Sequence, residues 1–392
     1  MAKIIYIEYS GKSHTVEEAL ERILGIVKVL GQAKVGLMES DNLILAEDIF
    51  SSLNIPGLDN SAMDGYAVQA IDTKTATREN PVLLDVIGQI QAGDIPNIIL
   101  YPGSAVRIMT GAPIPQGSDA VIPYELTNEK ELLSHGNKIE RISVFHAPNL
   151  GDYIRPAGED AAIGDLALMS GYELNPAGIG MLAALGLSQI PVIRQPRVAI
   201  LATGNEVQAP GEALHPGHLY DSNTYGIAAA IKRWGGIPQI IGIASDNFDD
   251  LREKILLSLN ADLLITSAGV SGGAYDLVKN VLSELGSVNF WSVKMRPAKP
   301  IAFGLLKHEG REIPHIGLPG NPVSALVALV EFARPAMMKM MGKKITGLPT
   351  VEATLDDNIE NTDGRRVYAR VHLYKKMGTC MHNLLVHKVL IY

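Results

Sequence analysis

Cysteine is almost missing from this 392-residue chain, where Cys380 stands alone. One thiol excludes an internal disulfide and a cysteine-rich zinc site, and a reducing compartment is the simplest setting. Histidine adds no metal signature: the ten present form no HExxH spacing, and the nearest pair, His215 and His218, flanks Pro216-Gly217 and reads as a turn. A basic excess is lacking too. The formal charge of -8 argues against general nucleic-acid binding, which needs a positive face. Long apolar runs are also absent. The opening MAKIIYIEYSGKSH has no extended apolar core, so no signal peptide is expected. Leu174 to Ile193 is uncharged, but Asn175, Pro176, Ser188, Gln189 and Pro191 interrupt it and its apolar centre is short for a bilayer. It reads as a buried helix, and a cytoplasmic protein without membrane contact is expected.

What the chain does have is apolar mass and glycine. With 47% hydrophobic residues and 38 glycines it reads as globular and α/β-like, and its length suggests about two to four domains. Thr15-Val-Glu-Glu18 is a capping-box pattern, and Ala19, Leu20, Ile23, Leu24, Val27 and Leu30 follow at helical spacing. A second periodic piece, Asn42 to Ile49, reads as helical until Pro56-Gly57. From Asn54 to Tyr153 short apolar runs alternate with Gly, Pro, Asn and Asp, as in a β-rich domain. Two of its loops, Asp59 to Tyr66 and Arg107 to Pro113, set Asp59, Ser61, Asp64, Arg107 and Thr110 among small residues; such loops either present groups to a ligand or are surface turns. A further helix is expected from Asn175-Pro176 to Leu187, with Pro176 at its first position and its face packed on the first helix.

From Arg197 onward, apolar strand candidates (Val198 to Ala202, Gln239 to Ala244, Leu263 to Thr266, Val288 to Val293, Ile301 to Phe303, Ile313 to Leu318) alternate with helix candidates (Asn223 to Trp234, Asn247 to Leu259, Asp276 to Leu285, Pro322 to Phe332). That order predicts a three-layer, doubly wound, mainly parallel sheet. Polar residues gather where the strands end: Thr203-Gly-Asn-Glu206, Ser245-Asp246, Ser267 to Gly273, Lys294 to Pro300 and Leu318 to Pro322. In such folds ligands bind beyond the carboxyl ends of the strands. The small residues Ala268-Gly-Val-Ser-Gly-Gly273 before a helix suit a phosphate or other oxyanion at the helix start. Glu206, Asp246 and Asp276 can supply oxygen ligands to Mg²⁺, and Arg296 and Lys299 can meet phosphate or a tetrahedral oxyanion. Asn321 and Pro322 offer a second helix start. Singly, the acids also read as helix caps and the two cations as a solvated turn; five loops on one edge favour a ligand site.

In order along the chain, SAMDGYAV (61 to 68), RIMTGAPIPQGSDAVI (107 to 122), RPAGED (155 to 160), LATGNEV (201 to 207), YDSN (220 to 223), AGVSGGAYDLVK (268 to 279), MRPAKPIAFG (295 to 304) and GLPGNPVSAL (317 to 326) closely resemble the molybdopterin molybdenumtransferase family, which includes the C-terminal part of gephyrin. The resemblance implies a Mg²⁺-dependent reaction in which molybdate or tungstate enters the dithiolene of adenylylated molybdopterin and AMP leaves. It places Asp64 and Thr110 in a β-rich half of the site and Glu206, Asp246 and Asp276 in the metal and phosphate half. Asp160, Gly269, Ser271, Gly272, Arg296, Lys299, Pro300, Pro319, Gly320 and Asn321 are implied to hold cofactor or oxyanion. It further implies a homodimer with a site shared between subunits and, upstream, a molybdopterin adenylyltransferase.

The fold class expected is a multidomain α/β chain. Its parts are a helical domain (1–53 and 154–190), an inserted β-rich domain (54–153), a molybdopterin-binding type α/β domain (191–342) and a small, shortened C-terminal β-domain (343–392). Ala268 and Ala298 stand where the family usually has glycine, and alanine excludes backbone shapes open only to glycine, so the resemblance does not carry over the geometry of those turns. Related readings are an adenylyltransferase or competence-damage type nucleotide enzyme, whose relatives lack the β-rich segments, and a non-catalytic carrier or scaffold.

Overall fold

A computed structural model describes residues 13–136, 138–268, 274–345, 347–349, 351–355, 361, 364–375 and 384–387. The expected loop residues Gly269, Ser271 and Gly272 lie outside the described set, as does the side chain of Asp276. The chain separates into two compact units, residues 47–170 with 176–188, and the remainder. Among the described residues no helix is long and apolar enough to cross a membrane.

Helix α1 (Val16–Ile26) starts as its capping box dictates, with the Glu18 N–H donating to Thr15 Oγ1 (3.1 Å) and the Thr15 N–H to Glu18 Oε2 (3.0 Å). Its apolar stripe, Val16, Ala19 and Ile23, is buried with Phe332, Met337 and Met340 of the α/β core. Asn42 to Ile49 is not helical. Leu43, Ile44 and Leu45 are all buried, and an extended backbone lets Ile44 and Leu45 bridge to Glu173 and Val192.

In the smaller unit a five-stranded mixed sheet is built from β1 (Gly65–Val68), β2 (Val82–Ile90), β3 (Ser104–Ile108), β4 (Ala120–Pro123) and β5 (Arg141–Val144), in the order β4-β1-β3-β2-β5. Residues of β1 alternate between its two faces, Tyr66 and Val68 toward one core and Ala67 toward another, as strand periodicity requires. Two short antiparallel pairs, Asn60–Ser61 with Ile154–Arg155 and Ile49–Phe50 with Leu166–Leu168, tie residues 154–168 to this unit. Helix α2 (Pro176–Ala184) is shorter than expected. The Leu187 N–H donates to Leu182 O (3.0 Å) around Gly186 at φ 74, a left-handed turn that closes the helix.

The larger unit holds the expected sheet, with strands β6 (Arg197–Thr203), β7 (Ile237–Ala244), β8 (Leu263–Ser267), β9 (Gly286–Ser292), β10 (Pro300–His308) and β11 (Arg311–Leu318) in the order β7-β6-β8-β11-β10-β9. The first four are parallel; β10 runs antiparallel to its neighbours. On β6, Val198 and Ile200 join the core that includes α1, α3 (Asn223–Arg233) and α6 (Pro322–Ala328). Ala199 and Leu201 join the opposite core with α4 (Phe248–Ser258) and α5 (Ala274–Leu285). Helices therefore cover both faces. Beyond residue 343 the described backbone forms a three-stranded sheet, Thr354–Leu355, Leu384–His387 and His372–Lys375, in that order.

Candidate active site

Because four strands are parallel, their carboxyl ends lie on one edge of the sheet, and the turn between β9 and β10 returns to the same edge. Four of the five expected loops meet there. After β6, the Gly204 N–H donates to Ala244 O (3.1 Å) at the end of β7. The Asp246 N–H donates to Asn205 Oδ1 (3.0 Å), and a longer contact joins the Asn205 N–H to Asp246 Oδ2 (3.4 Å). The two acid-bearing loops are thus held side by side. Glu206 folds its carboxylate over Gly204, where φ is 128 and a β-carbon would sit 2.6 Å from Oε2. Among the described residues neither Glu206 nor Asp246 pairs with a cationic side chain, and no three His, Cys, Asp or Glu side chains converge as a metal site.

Ser245 is held differently. Its N–H and hydroxyl both donate to Asp250 (2.7 and 2.8 Å), which also takes Lys254 Nζ. The Lys254 ammonium and the Ser245 donors hold the Asp250 carboxyl down at about 2. It therefore stays ionised and fixes the start of α4.

Arg296, Lys299 and Pro300 lie on the turn between β9 and β10. Arg296 and Lys299 are exposed while Ala298 between them is buried, so the turn is pinned by its centre. Met295–Arg296 pairs in parallel with Arg366–Val367, and the Tyr368 N–H donates to Arg296 O (2.8 Å). The Lys294 N–H donates to His14 O (2.8 Å).

Pro319, Gly320 and Asn321 follow β11. Asn321 Oδ1 accepts from the Val323 and Ser324 N–H groups (3.1 and 3.2 Å), so the donors expected to meet an anion at this helix start are already capped. A residue that the sequence did not single out organises this corner. Asn223, at the start of α3, donates from Nδ2 to Ser267 Oγ (2.7 Å) and to Gly320 O (2.8 Å), joining the end of β8 to the loop after β11. The only signal for it was its place in Tyr-Asp-Ser-Asn.

Ala268 and Ala298 occupy left-handed backbone, at φ 74 and 72. Alanine is thus held at both positions in a conformation that suits glycine. An L-residue there costs about 1–2 kcal/mol, against about 0.5–1 kcal/mol of extra entropy that glycine loses on folding. Ala268→Gly should accordingly raise stability by about 0.5–1 kcal/mol in urea unfolding. Ala298→Gly also gives up a buried methyl of about 0.8 kcal/mol and should be close to neutral.

In the smaller unit Asp64 lies just before β1 and Thr110 just after β3. The Thr110 N–H and hydroxyl both donate to Asp64 Oδ1 (2.7 Å each) and hold this carboxyl below the usual range. Behind them is an unexpected polar core. Arg107 donates to both Glu129 oxygens (2.8 and 3.0 Å) and lies over the Tyr66 and Tyr124 rings, and the Tyr66 hydroxyl donates to Glu129. Burial, then the Glu129 contact, push the Tyr66 hydroxyl far up, so it remains a donor. Asp160 is half-exposed and receives Arg155 (2.8 Å), which also holds Glu159 (2.7 Å). Asp59 Oδ1 accepts the Ala157 N–H (2.7 Å).

Residues 14–186 match the family described as MoeA N-terminal region (domain I and II), and residues 199–339 the probable molybdopterin binding domain. Molybdopterin molybdenumtransferase 2 of Mycobacterium tuberculosis is 36% identical over 374 residues, 93% of this chain and 89% of its own. Molybdopterin molybdenumtransferase of Bacillus subtilis is 35% identical over 361 residues, 91% and 82%. A crystal structure of a molybdopterin biosynthesis MoeA protein from Pyrococcus horikoshii superposes with a TM-score of 0.77 at 31% identity, covering 97% of this chain and 90% of that one.

Proposed function

For a chain that belongs to the molybdopterin molybdenumtransferase family, enzymes of molybdenum cofactor biosynthesis, we propose a Mg²⁺-dependent reaction in which molybdate, or tungstate, is inserted into adenylylated molybdopterin and AMP is released. The observation that supports it best is the pairing of two exposed carboxylates, Glu206 and Asp246, on loops locked together by Asn205, along the same edge as Arg296 and Lys299.

Hard carboxylate oxygens not neutralised by a neighbouring cation fit Mg²⁺, and Glu206 and Asp246, with Asp276, would hold it. Bound there, the ion would offset the charge of the substrate's phosphates. Arg296 and Lys299 would receive phosphate or molybdate, Arg296 through its planar fork and Lys299 as a point charge. Asn223 would keep the β8 end and the Gly320 loop at a fixed separation while substrate enters. Asp64 has a different part. With its pKa lowered by the two Thr110 bonds it is a weak base near neutrality, so it suits accepting hydrogen bonds from substrate N–H or O–H groups rather than removing a proton. The balance of the reaction is cleavage of the anhydride linking AMP to the molybdopterin phosphate, with water supplying the oxygen, and formation of two molybdenum–sulfur bonds to the dithiolene as one molybdate oxygen leaves as water with the two thiol protons.

The reading includes a cytoplasmic homodimer, with the Asp64 and Thr110 loops of one copy completing the site of the other. Phe50, Leu53, Leu58, Ile163, Leu166 and Met169 are all exposed apolar residues, and Phe50 and Leu166 are cross-strand neighbours, which suits burial against a second copy. Sedimentation equilibrium would show a mass twice that of the chain.

Adenylylated molybdopterin with molybdate and Mg²⁺, and AMP followed over time, tests the reaction. Molybdate-dependent AMP release supports it. ATP consumption with free molybdopterin, or binding without AMP, would replace it with an adenylyltransferase or a carrier.

A further inference from the structure

The amino ends of the same strands carry a second cluster of charge, on the edge opposite Arg296 and Lys299. Arg197 opens β6, Ile237 opens β7, Arg311 opens β11, and Asp262 directly precedes β8. Asp262 has a side chain only 2% exposed. It takes two bonds from Arg194 (2.6 Å each) and one from the Arg197 N–H (2.8 Å). Burial would raise its pKa, but these donors outweigh it and keep the carboxylate ionised. Its acceptor sites are then largely filled. The guanidiniums of Arg197 and Arg311 stand further off, at 3.8 and 3.7 Å, and are 47% and 45% exposed.

Three guanidiniums thus surround one carboxylate, in a chain whose net charge is -8. All three line one groove of about 450 Å³ with Gln195, and among the described residues no acidic side chain lines it. Its remaining wall is apolar: Ala33, Val35, Leu43, Val192 and Ile237. Ala33 and Val192 are cross-strand partners in the ribbon Gln32–Gly36 with Gln189–Ile193, so this wall is a fixed surface.

We propose that this groove is a binding site for a small phosphate monoester with an apolar body. Two excess positive charges match a phosphate monoester, which carries about -1.5 to -2 near neutral pH. Guanidinium forks match its oxygens in pairs. The volume lies within the range of about 300–1,000 Å³ usual for small-ligand pockets, and an apolar wall beside a few convergent polar groups is their usual lining. The site stands apart from the proposed reaction and does not depend on it.

Phenyl phosphate is the probe, titrated calorimetrically into the full chain beside inorganic phosphate, benzoate and phenol. Phenyl phosphate should bind with a Kd of roughly 10⁻⁴ to 10⁻³ M, as expected for a ligand of this size. The three comparators should each bind at least about tenfold more weakly, since each lacks either the dianion or the apolar body. Arg197→Gln and Arg311→Gln leave the Arg194 pair with Asp262 in place and should each weaken binding about tenfold, as loss of a charge-assisted pair would. Ile237→Glu, at an exposed strand start, should abolish it by repulsion. Arg296→Ala with Lys299→Ala should leave it unchanged. No saturable binding, equal binding of benzoate, or loss in the Arg296 and Lys299 variant with retention in Arg197→Gln and Arg311→Gln would overturn the proposal.

Discussion

Asp246→Asn is expected to lower Mg²⁺-dependent AMP release by roughly 10²- to 10³-fold, a loss comparable to removing one electrostatic stabiliser from an active site. The substitution is nearly isosteric. It keeps an oxygen to accept from the Asn205 N–H, and the Asp246 N–H still donates to Asn205 Oδ1, so the loop geometry should persist. What goes is one formal negative charge where a hard cation is proposed to bind, and divalent affinity depends on ligand charge count. The loss should therefore be partly recovered at raised Mg²⁺, while the unfolding midpoint stays within about 0.5 kcal/mol of the parent, as for an exposed substitution. Activity equal to the parent at low Mg²⁺ would remove Asp246 from the site.

Glu129→Ala should produce the largest loss of stability, about 3–5 kcal/mol, because it removes one partner of a buried ion pair and strands the other. Glu129 is 5% exposed, and Arg107 keeps only 16% of its side chain accessible. Without the carboxylate, the Arg107 guanidinium retains the Gly65 and Ile108 carbonyls and two aromatic faces but loses its counter-charge. The Tyr66 hydroxyl, in a ring with no exposed surface, loses its acceptor as well. Glu129→Gln should cost less, since a neutral oxygen can still accept. Urea unfolding followed by a probe in the smaller unit reads both values. A change below about 1 kcal/mol for Glu129→Ala would mean the cluster is hydrated rather than buried.

The sheet of the larger unit could be read from sequence because its central strands, β6 and β8 above all, are buried on both faces and appear as short apolar runs between glycine-rich turns. The limits of that reading lie at polar strand ends. β10 runs on to His308, past Lys307, because it pairs with β11 through the turn at Glu309-Gly310, and such pairing leaves no mark on hydropathy. Asn42 to Ile49 misled because its apolar spacing suits a helix, whereas bridges to residues 173 and 192 decide its backbone. At the site, acids and cations after strand ends were legible one by one. Asn223 was not, since its importance lies in two contacts with loops 44 and 97 residues away. Glu129 sits in an ordinary helical-looking stretch, and its two partners come from strands that the sequence does not bring together visibly.

The Arg296 turn is braced by residues from distant parts of the chain, His14 on one side and residues 366–368 on the other, and Arg366 is in turn ion-paired with Glu17. Should Arg296 receive an oxyanion as proposed, the order imposed on that turn during folding would not have to be imposed again, and the ligand would meet a backbone already in place. Linkage makes the relation mutual. An anion that favours the positioned turn must also favour the strand pair at 366–367, so bound oxyanion should slow amide exchange at Tyr368, some 70 residues along the chain from Arg296.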